Sequence, residues 1–199
     1  MKTSILLISV FLCYQSSCIS AIKPKVHKVT FGIYETIPAN QLSGTFIQKL
    51  KKTAMQFENA AQSPVIGYFE KSDSMILKID LRKETFRIVK SFYTVDKDGK
   101  YFALVAIHPK PAIDISDIQN TEVNGKNVEI HFNMNGAKKW ADLTKNNIGK
   151  IVAFTIDSQI YTMPKIMTEI RTGEALINGL GNETIANSIS ETLNSGISN

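Results

Sequence analysis

Val128–Ile166 reads VEIHFNMNGAKKWADLTKNNIGKIVAFTIDSQIYTMPKI, and its alternation between strand and helix patterns decides the fold. Val128, Ile130 and Phe132 alternate with polar residues, the period of a half-buried strand. A helix is expected over about 136–146, with Asn135 as cap. It shows Ala137, Trp140, Ala141, Thr144 and Ile148 on one face, and Gly149 stands where a left-handed stop belongs. Ile151–Ile156 and Ile160–Ile166 then form a strand pair around Asp157-Ser158-Gln159. Downstream, Leu176–Leu180 reads as a short strand. Asn182 caps a last helix with Ile185, Ile189 and Leu193 inward and Gly196 closing it.

Upstream, the chain begins with Lys2 and the apolar run Ile5–Leu12, followed by small and polar residues to Ala21. That run is shorter than the roughly 20 residues a membrane span needs and suits a secretory signal peptide over residues 1–21. Two processing routes stay open. Ile19-Ser20-Ala21 fits ordinary signal peptidase, whereas Ser16-Ser17-Cys18 resembles a loose lipobox that would lipidate Cys18, with Gln15 where such motifs carry Leu. Cys13 and Cys18 are the only cysteines, so a domain cleaved after Ala21 holds no disulfide and depends on packing alone.

Val29, Phe31 and Ile33 predict a strand with one buried face, ended by Pro38. From Asn40 to about Ala61 the residues Leu42, Phe46, Ile47, Leu50, Ala54, Phe57 and Ala61 recur at helical spacing. Strands are expected at Val65–Phe69, Met75–Leu81, Phe86–Thr94 and Tyr101–Ile107. Asp96-Lys97-Asp98-Gly99 lacks the later acidic ligands of a calcium loop and reads as a hairpin turn, as does Asn124-Gly125. The alternating prolines of His108-Pro109-Lys110-Pro111 mark a boundary between a region 22–107 and a region 108–199. Strands interleaved with few helices, without regular βαβ alternation, indicate an α+β fold with helices packed on a mostly antiparallel sheet.

Composition narrows the function classes. The chain is 43% hydrophobic and 21% charged, as in globular proteins. Its net charge of +5, one unit of which is Lys2, is scattered, with Lys51-Lys52 and Lys138-Lys139 as isolated doublets. Nucleic-acid binding requires such charge to be clustered with aromatic partners. His27, His108 and His131 lie on separate elements without ligand spacing, so no metal or other cofactor site is expected. Nucleophile and phosphate-loop motifs are missing. Asp114 and Asp117 could pair as carboxylates, but the same spacing suits a turn or cap. Asn182-Glu183-Thr184 fits a glycosylation acceptor and equally a helix cap.

The C-terminal half resembles the head of the first periplasmic domain of SecD and SecDF, membrane proteins that assist export through the Sec translocon. The residues that carry the likeness are Phe132, Gly136-Ala137-Lys138-Lys139-Trp140, Leu143-Thr144, Asn147, Gly149-Lys150, Asp157, Ile160, Thr162, Pro164, Ile166, Ile170, Gly173, Ile177 and Gly179. It spans about 128–196 and thins toward Tyr101. Ser158 stands where the family has Gly. The family continues into membrane helices that carry its proton-linked function, whereas these 199 residues stop at the head. The resemblance thus implies the head fold and contact with polypeptide, and gives no basis for proton-driven movement.

The function expected is therefore an exported, non-catalytic binding or scaffold module of the periplasm or envelope, with a protein or polypeptide partner. Tyr161 and Met163, expected on one face of the Ile160–Ile166 strand, are the candidate contacts for an extended chain. The alternatives are an envelope assembly component that binds a folded partner, and an enzyme whose site the spacing hides. Cleavage is expected within Ser17–Ile22. Mass spectrometry of the native protein tests it, and an intact Met1 start in a cytoplasmic fraction would overturn it. Cys18→Ala abolishes membrane association only if the lipid route operates.

Overall fold

In the computed structural model the strands of the opening stretch divide between two sheets, the strand at Val128–Phe132 in a three-stranded sheet and the two after the helix in an eight-stranded one. The structure describes residues 28–42, 48, 56–57, 63–70, 87–91 and 101–198. The strands are β1 (Phe31–Glu35), β2 (Gln56–Phe57), β3 (Val65–Glu70), β4 (Arg87–Ser91), β5 (Tyr101–Ile107), β6 (Ile113–Asp114), β7 (Ile118–Asn124), β8 (Asn127–Phe132), β9 (Val152–Ile156), β10 (Gln159–Thr162) and β11 (Glu174–Ile177). Two helices are described, α1 (Met134–Asn146) and α2 (Glu183–Ile197). The large sheet runs β2-β3-β5-β4-β10-β9-β1-β6, and a three-stranded sheet runs β11-β8-β7. Every pairing is antiparallel except β10 with β4. The fold is α+β, and the large sheet takes strands from both sides of Pro109 and Pro111.

Alternation along β1 and β9 shows why these two neighbouring strands are buried on both faces. Phe31, Ile33, Val152, Phe154 and Ile156 point into the main core, while Tyr34 and Ala153 join a second cluster on the other face with Val105, Ile107 and Ile160. Both faces of β1 are therefore buried, where the sequence pattern predicted one. The small and aromatic residues between the apolar ones, Gly32 and Tyr34, are compatible with a covered face, which periodicity alone does not reveal. The main core is completed by Val128, Ile130 and Phe132 of β8, Trp140 and Leu143 of α1, and Ala186, Ile189 and Leu193 of α2.

The N-terminal helix expected to reach Ala61 does not. Ala39–Gln41 is a single 3-10 turn entered from Pro38, with Asn40 inside it, and Gln48 is helical. Gln56–Phe57 is strand, paired with Tyr68 and Gly67 on β3. The free edge of β3 gives that backbone a partner which overrides its helical spacing. The remainder of that segment, the expected strand Met75–Leu81, residues 1–27 with Cys18 and His27, and the Asp96–Gly99 turn lie outside the described residues. The strands that flank that turn pair antiparallel, Arg87 with Ile107 and Ser91 with Ala103.

Smaller differences share one cause, that caps and packing decide element ends. Asn133 rather than Asn135 caps α1, its side chain accepting from the Gly136 amide at 3.0 Å. Ile148 and Ile185, expected inward, are 55% and 43% exposed, and Leu143 and Ala186 fill the core instead. β10 ends at Thr162 and β11 covers Glu174–Ile177 rather than Leu176–Leu180. Asn182 caps α2 as expected, accepting from the Ile185 amide, but the helix runs through Gly196, which lies tight against Val29. Gly149 has φ 83° and stops α1.

Asp114 and Asp117 take the turn and cap geometry that their spacing allows. Asp114 caps the 3-10 turn Ile115–Asp117 in a reciprocal capping box, accepting from the Ser116 amide at 2.9 Å and hydroxyl at 2.6 Å. Its carboxyl is held below the ordinary aspartate value of 3.8, chiefly by the Ser116 hydroxyl, then by the Ser116 amide and Lys139, against the opposing effect of burial. A depressed pKa contributes stability above the unfolded value and loses it as pH falls through the folded value. Asp114→Ala should cost about 0.5–2 kcal/mol near neutrality, and denaturation followed across pH should show that cost shrinking below pH 3.8. Trp140 is 2% exposed, with ring centroids 5.8 Å from Phe132 and 6.0 Å from Phe154. Trp140→Ala should cost about 3–5 kcal/mol in chemical denaturation, and a loss below about 1 kcal/mol would contradict the packing.

Candidate functional site

The polypeptide between β10 and β11 builds one wall of a surface concavity. Its ends are held together by the Thr162 hydroxyl donating to Asn178 Oδ1 at 3.0 Å. Pairing with residues 149–152 continues past β10: the Val152 amide donates to Pro164 O at 3.1 Å, and the Ile166 amide donates to Lys150 O at 2.8 Å. The Ile170 amide then donates to the Thr144 hydroxyl at 2.9 Å, which donates in turn to Trp140 O, so the segment is pinned onto α1. Arg171 closes the turn with two bonds to the Glu169 carboxylate, at 2.8 and 3.0 Å, which holds Glu169 below its usual range.

Between this segment and β11 lies a groove of about 540 Å³, within the range of ligand sites, floored by Trp140 and Phe154. Met167, 75% exposed, and Leu176, 42% exposed, stand on its opposite walls. β11 pairs with β8 on one side and has no strand on the other among the described residues. The Phe132 amide donates to Gly173 O at 2.9 Å, so the register places Ala175 and Ile177 in the bonded pairs with β8. The amides and carbonyls of Glu174 and Leu176 therefore point to the free edge. The opposite edge of that sheet differs. Asn194 of α2 donates to Thr121 O at 3.0 Å and accepts from its amide at 2.9 Å, which occupies the outer backbone of β7.

Tyr161 and Met163, the side chains expected from sequence to contact polypeptide, pack on different core clusters. β10 lies between β9 and β4 and offers no free edge. A bulge between Ile160 and Thr162 displaces Tyr161 from the ladder. Tyr161 therefore packs half-buried on the main core, and Met163 packs on the second cluster across the sheet. Burial, then the nearby Asp157 charge, pushes the Tyr161 hydroxyl above its usual pKa. The sequence pattern missed the bulge, and with it Met167 and Leu176. One signal was present: Leu176 and Ile177 are adjacent in a strand, so only one can face the core.

Three ionisable side chains line the groove, Glu129, Lys165 and Glu174. His131 is partly buried, with Nδ1 3.6 Å from the Glu174 carboxylate. His108 is exposed at the end of β5. Among the described residues no three His, Cys, Asp or Glu side chains group as a metal site, and no helix is long and apolar enough to cross a membrane.

Comparison with known proteins adds to this geometry. The family model described as the P1 head subdomain of SecDF matches residues 90–197. The protein translocase subunit SecDF of Thermus thermophilus is 41% identical over 69 residues, which are 35% of this chain and 9% of that protein. The translocase subunit SecD of Leptotrichia buccalis is 30% identical over 105 residues, 53% of this chain and 26% of that one. The chain thus spans about a quarter or less of the length of these relatives. A crystal structure of SecDF in a super-membrane-facing form superposes on 85% of this chain and 19% of its own, with a TM-score of 0.49 and 20% identity.

Proposed function

This chain belongs to the SecDF P1 head family, and on that premise we propose that it is an exported, non-catalytic module that binds extended polypeptide at the β11 edge. The observation that carries the reading is the edge of β11, unpaired among the described residues and set beside a largely apolar groove. An incoming strand adds to such an edge through backbone hydrogen bonds, and alternate side chains enter the groove beside it. Backbone bonding is indifferent to sequence. Met167 adds a flexible thioether that adapts to varied side chains. β11 has only four residues, so the contact is short and the affinity low, roughly micromolar to millimolar. The relatives' names make them translocase subunits, and a weak, unselective grip on extended chain is what handling exported polypeptides requires. The module acts in the periplasm or envelope, where the expected leader would deliver it.

Because Leu176 is exposed, Leu176→Asp leaves the core intact and should weaken binding of an unfolded exported protein about tenfold, as expected for loss of one buried leucine contact. Photocrosslinkers at Met167 and Leu176 should capture unfolded chains in preference to a control on exposed Glu191 of α2. Capture of a single folded partner, or no excess over that control, would overturn the reading in favour of an assembly component.

A further inference from the structure

A second cavity, of about 610 Å³, opens beside the groove between the end of β1, His108 and the residues that follow α1. Lys165 lines both concavities and stands on the divide between them. Their charges differ in kind. The groove carries carboxylates on its β8 and β11 wall: Glu129, which accepts from Asn124 at 2.7 Å, and Glu174, which faces His131. The second cavity sets Lys150 and Lys165 against the single carboxylate of Glu35. Both lysines are exposed, and neither is in an ion pair among the described residues.

The backbone holds these lysines in place. The Lys150 amide donates to Asn147 O at 3.0 Å, and its carbonyl accepts from the Ile166 amide at 2.8 Å. Lys165 bridges to Ile151 in the same irregular ladder. Ile148, 55% exposed, lines the same cavity and adds apolar surface to it. Two cations against one anion leave a single net positive charge, which one carboxylate neutralises. A dense polyanion would also confront Glu35.

We infer that this cavity is an anion subsite of the polypeptide groove, taking the carboxylate of an Asp or Glu side chain that follows an apolar run in the bound strand. The inference rests on the groove reading above and gives it a selectivity. Apolar residues lie over Trp140 and Met167, and the chain continues past Lys165 to present its acidic residue to Lys150. A basic residue at that place would meet like charge.

The test uses the purified full chain and three labelled peptides, each acetylated and amidated so that no terminal charge competes. They share one apolar strand-forming run, followed by Asp-Glu, Asn-Gln or Lys-Lys. The acidic peptide should bind about twofold to fivefold more tightly than the neutral one at low salt, the range of exposed ion pairs. The basic peptide should bind most weakly, and the differences should fade at high ionic strength. Lys150→Gln should remove the acidic preference, Lys150→Glu should reverse it and Lys150→Arg should restore it. Equal binding of the acidic and neutral peptides, or a preference unchanged in Lys150→Gln, would overturn the subsite. If none of the three peptides binds, the groove reading fails and the subsite with it. Neutral-peptide binding that Leu176→Asp weakens upholds the groove whatever the charge result.

Discussion

The carboxylate of Asp117 is the point on which the head is assembled. It is fully buried and accepts from Lys139 Nζ at 2.8 Å on both oxygens, from Asn135 Nδ2 at 2.7 Å and from the Asp114 amide at 3.1 Å. Its backbone carbonyl accepts from the Asn133 amide at 3.0 Å. A buried charge so fully bonded is tolerated, whereas removing one partner strands the rest at a cost of several kcal/mol. Its main effect is positional. The start of α1 is tied to the turn that links β6 with β7, and so the two sheets are tied through one side chain. Gly136 belongs to the same contact, because a Cβ there would collide with Asp117 O. With α1 fixed in rotation, Trp140 falls between Phe132 and Phe154, where it floors the groove.

The two edges of the small sheet differ in what covers them. α2 packs along β7, and Asn194 takes up the Thr121 backbone, so that side of the small sheet is closed. β10 is flanked on both sides. β11 borders the groove, and its residues alternate inward Ile177 and Ala175 with outward Leu176 and Glu174. An exposed edge of this kind invites aggregation, and natural proteins blunt such edges by keeping them short and charged. β11 is four residues long and carries Glu174, so it can accept a strand without templating a long one.

Much of this head was legible because its elements are local. β5, β8 and the capped helices follow from two-residue and helical periods in the residues themselves. The GAKKW run was legible as a resemblance, and its physical sense lies in the docking of Gly136, Lys139 and Trp140 on Asp117 and Phe132. What could not be read was nonlocal. β2 exists because β3 has an open edge, and no feature of Gln56 and Phe57 announces it. The bulge at Tyr161 breaks the alternation assumed for Tyr161 and Met163, and Asn133 outcompetes Asn135 because its Nδ2 also reaches Ser116 O at 2.8 Å. The groove was illegible for the same reason, since its walls are brought together by Thr162 and Asn178 across the intervening segment.

Ser158 takes the turn position where the resemblance to the SecDF head implies glycine. Asp157 and Ser158 have φ of 48° and 62°, the left-handed pair a tight hairpin needs, and a serine there bears a strain that glycine would not. The strain is held from outside. The Thr30 amide donates to Asp157 Oδ1 at 3.0 Å and the Asp157 amide donates to Thr30 O at 2.8 Å, so the turn is clamped to the residue entering β1. The clamp anchors β9 at one end while the bonds from residues 149–152 to Pro164 and Ile166 anchor the other. Between these fixed ends the irregularity of β10 is forced to one place, the bulge at Tyr161. The chain leaving it reaches Pro164 in the position that makes the groove's second wall. The hollow beside β11 is thus set by constraints at the far end of the sheet as much as by its own lining, and a chain bound there meets a rigid floor with one open edge.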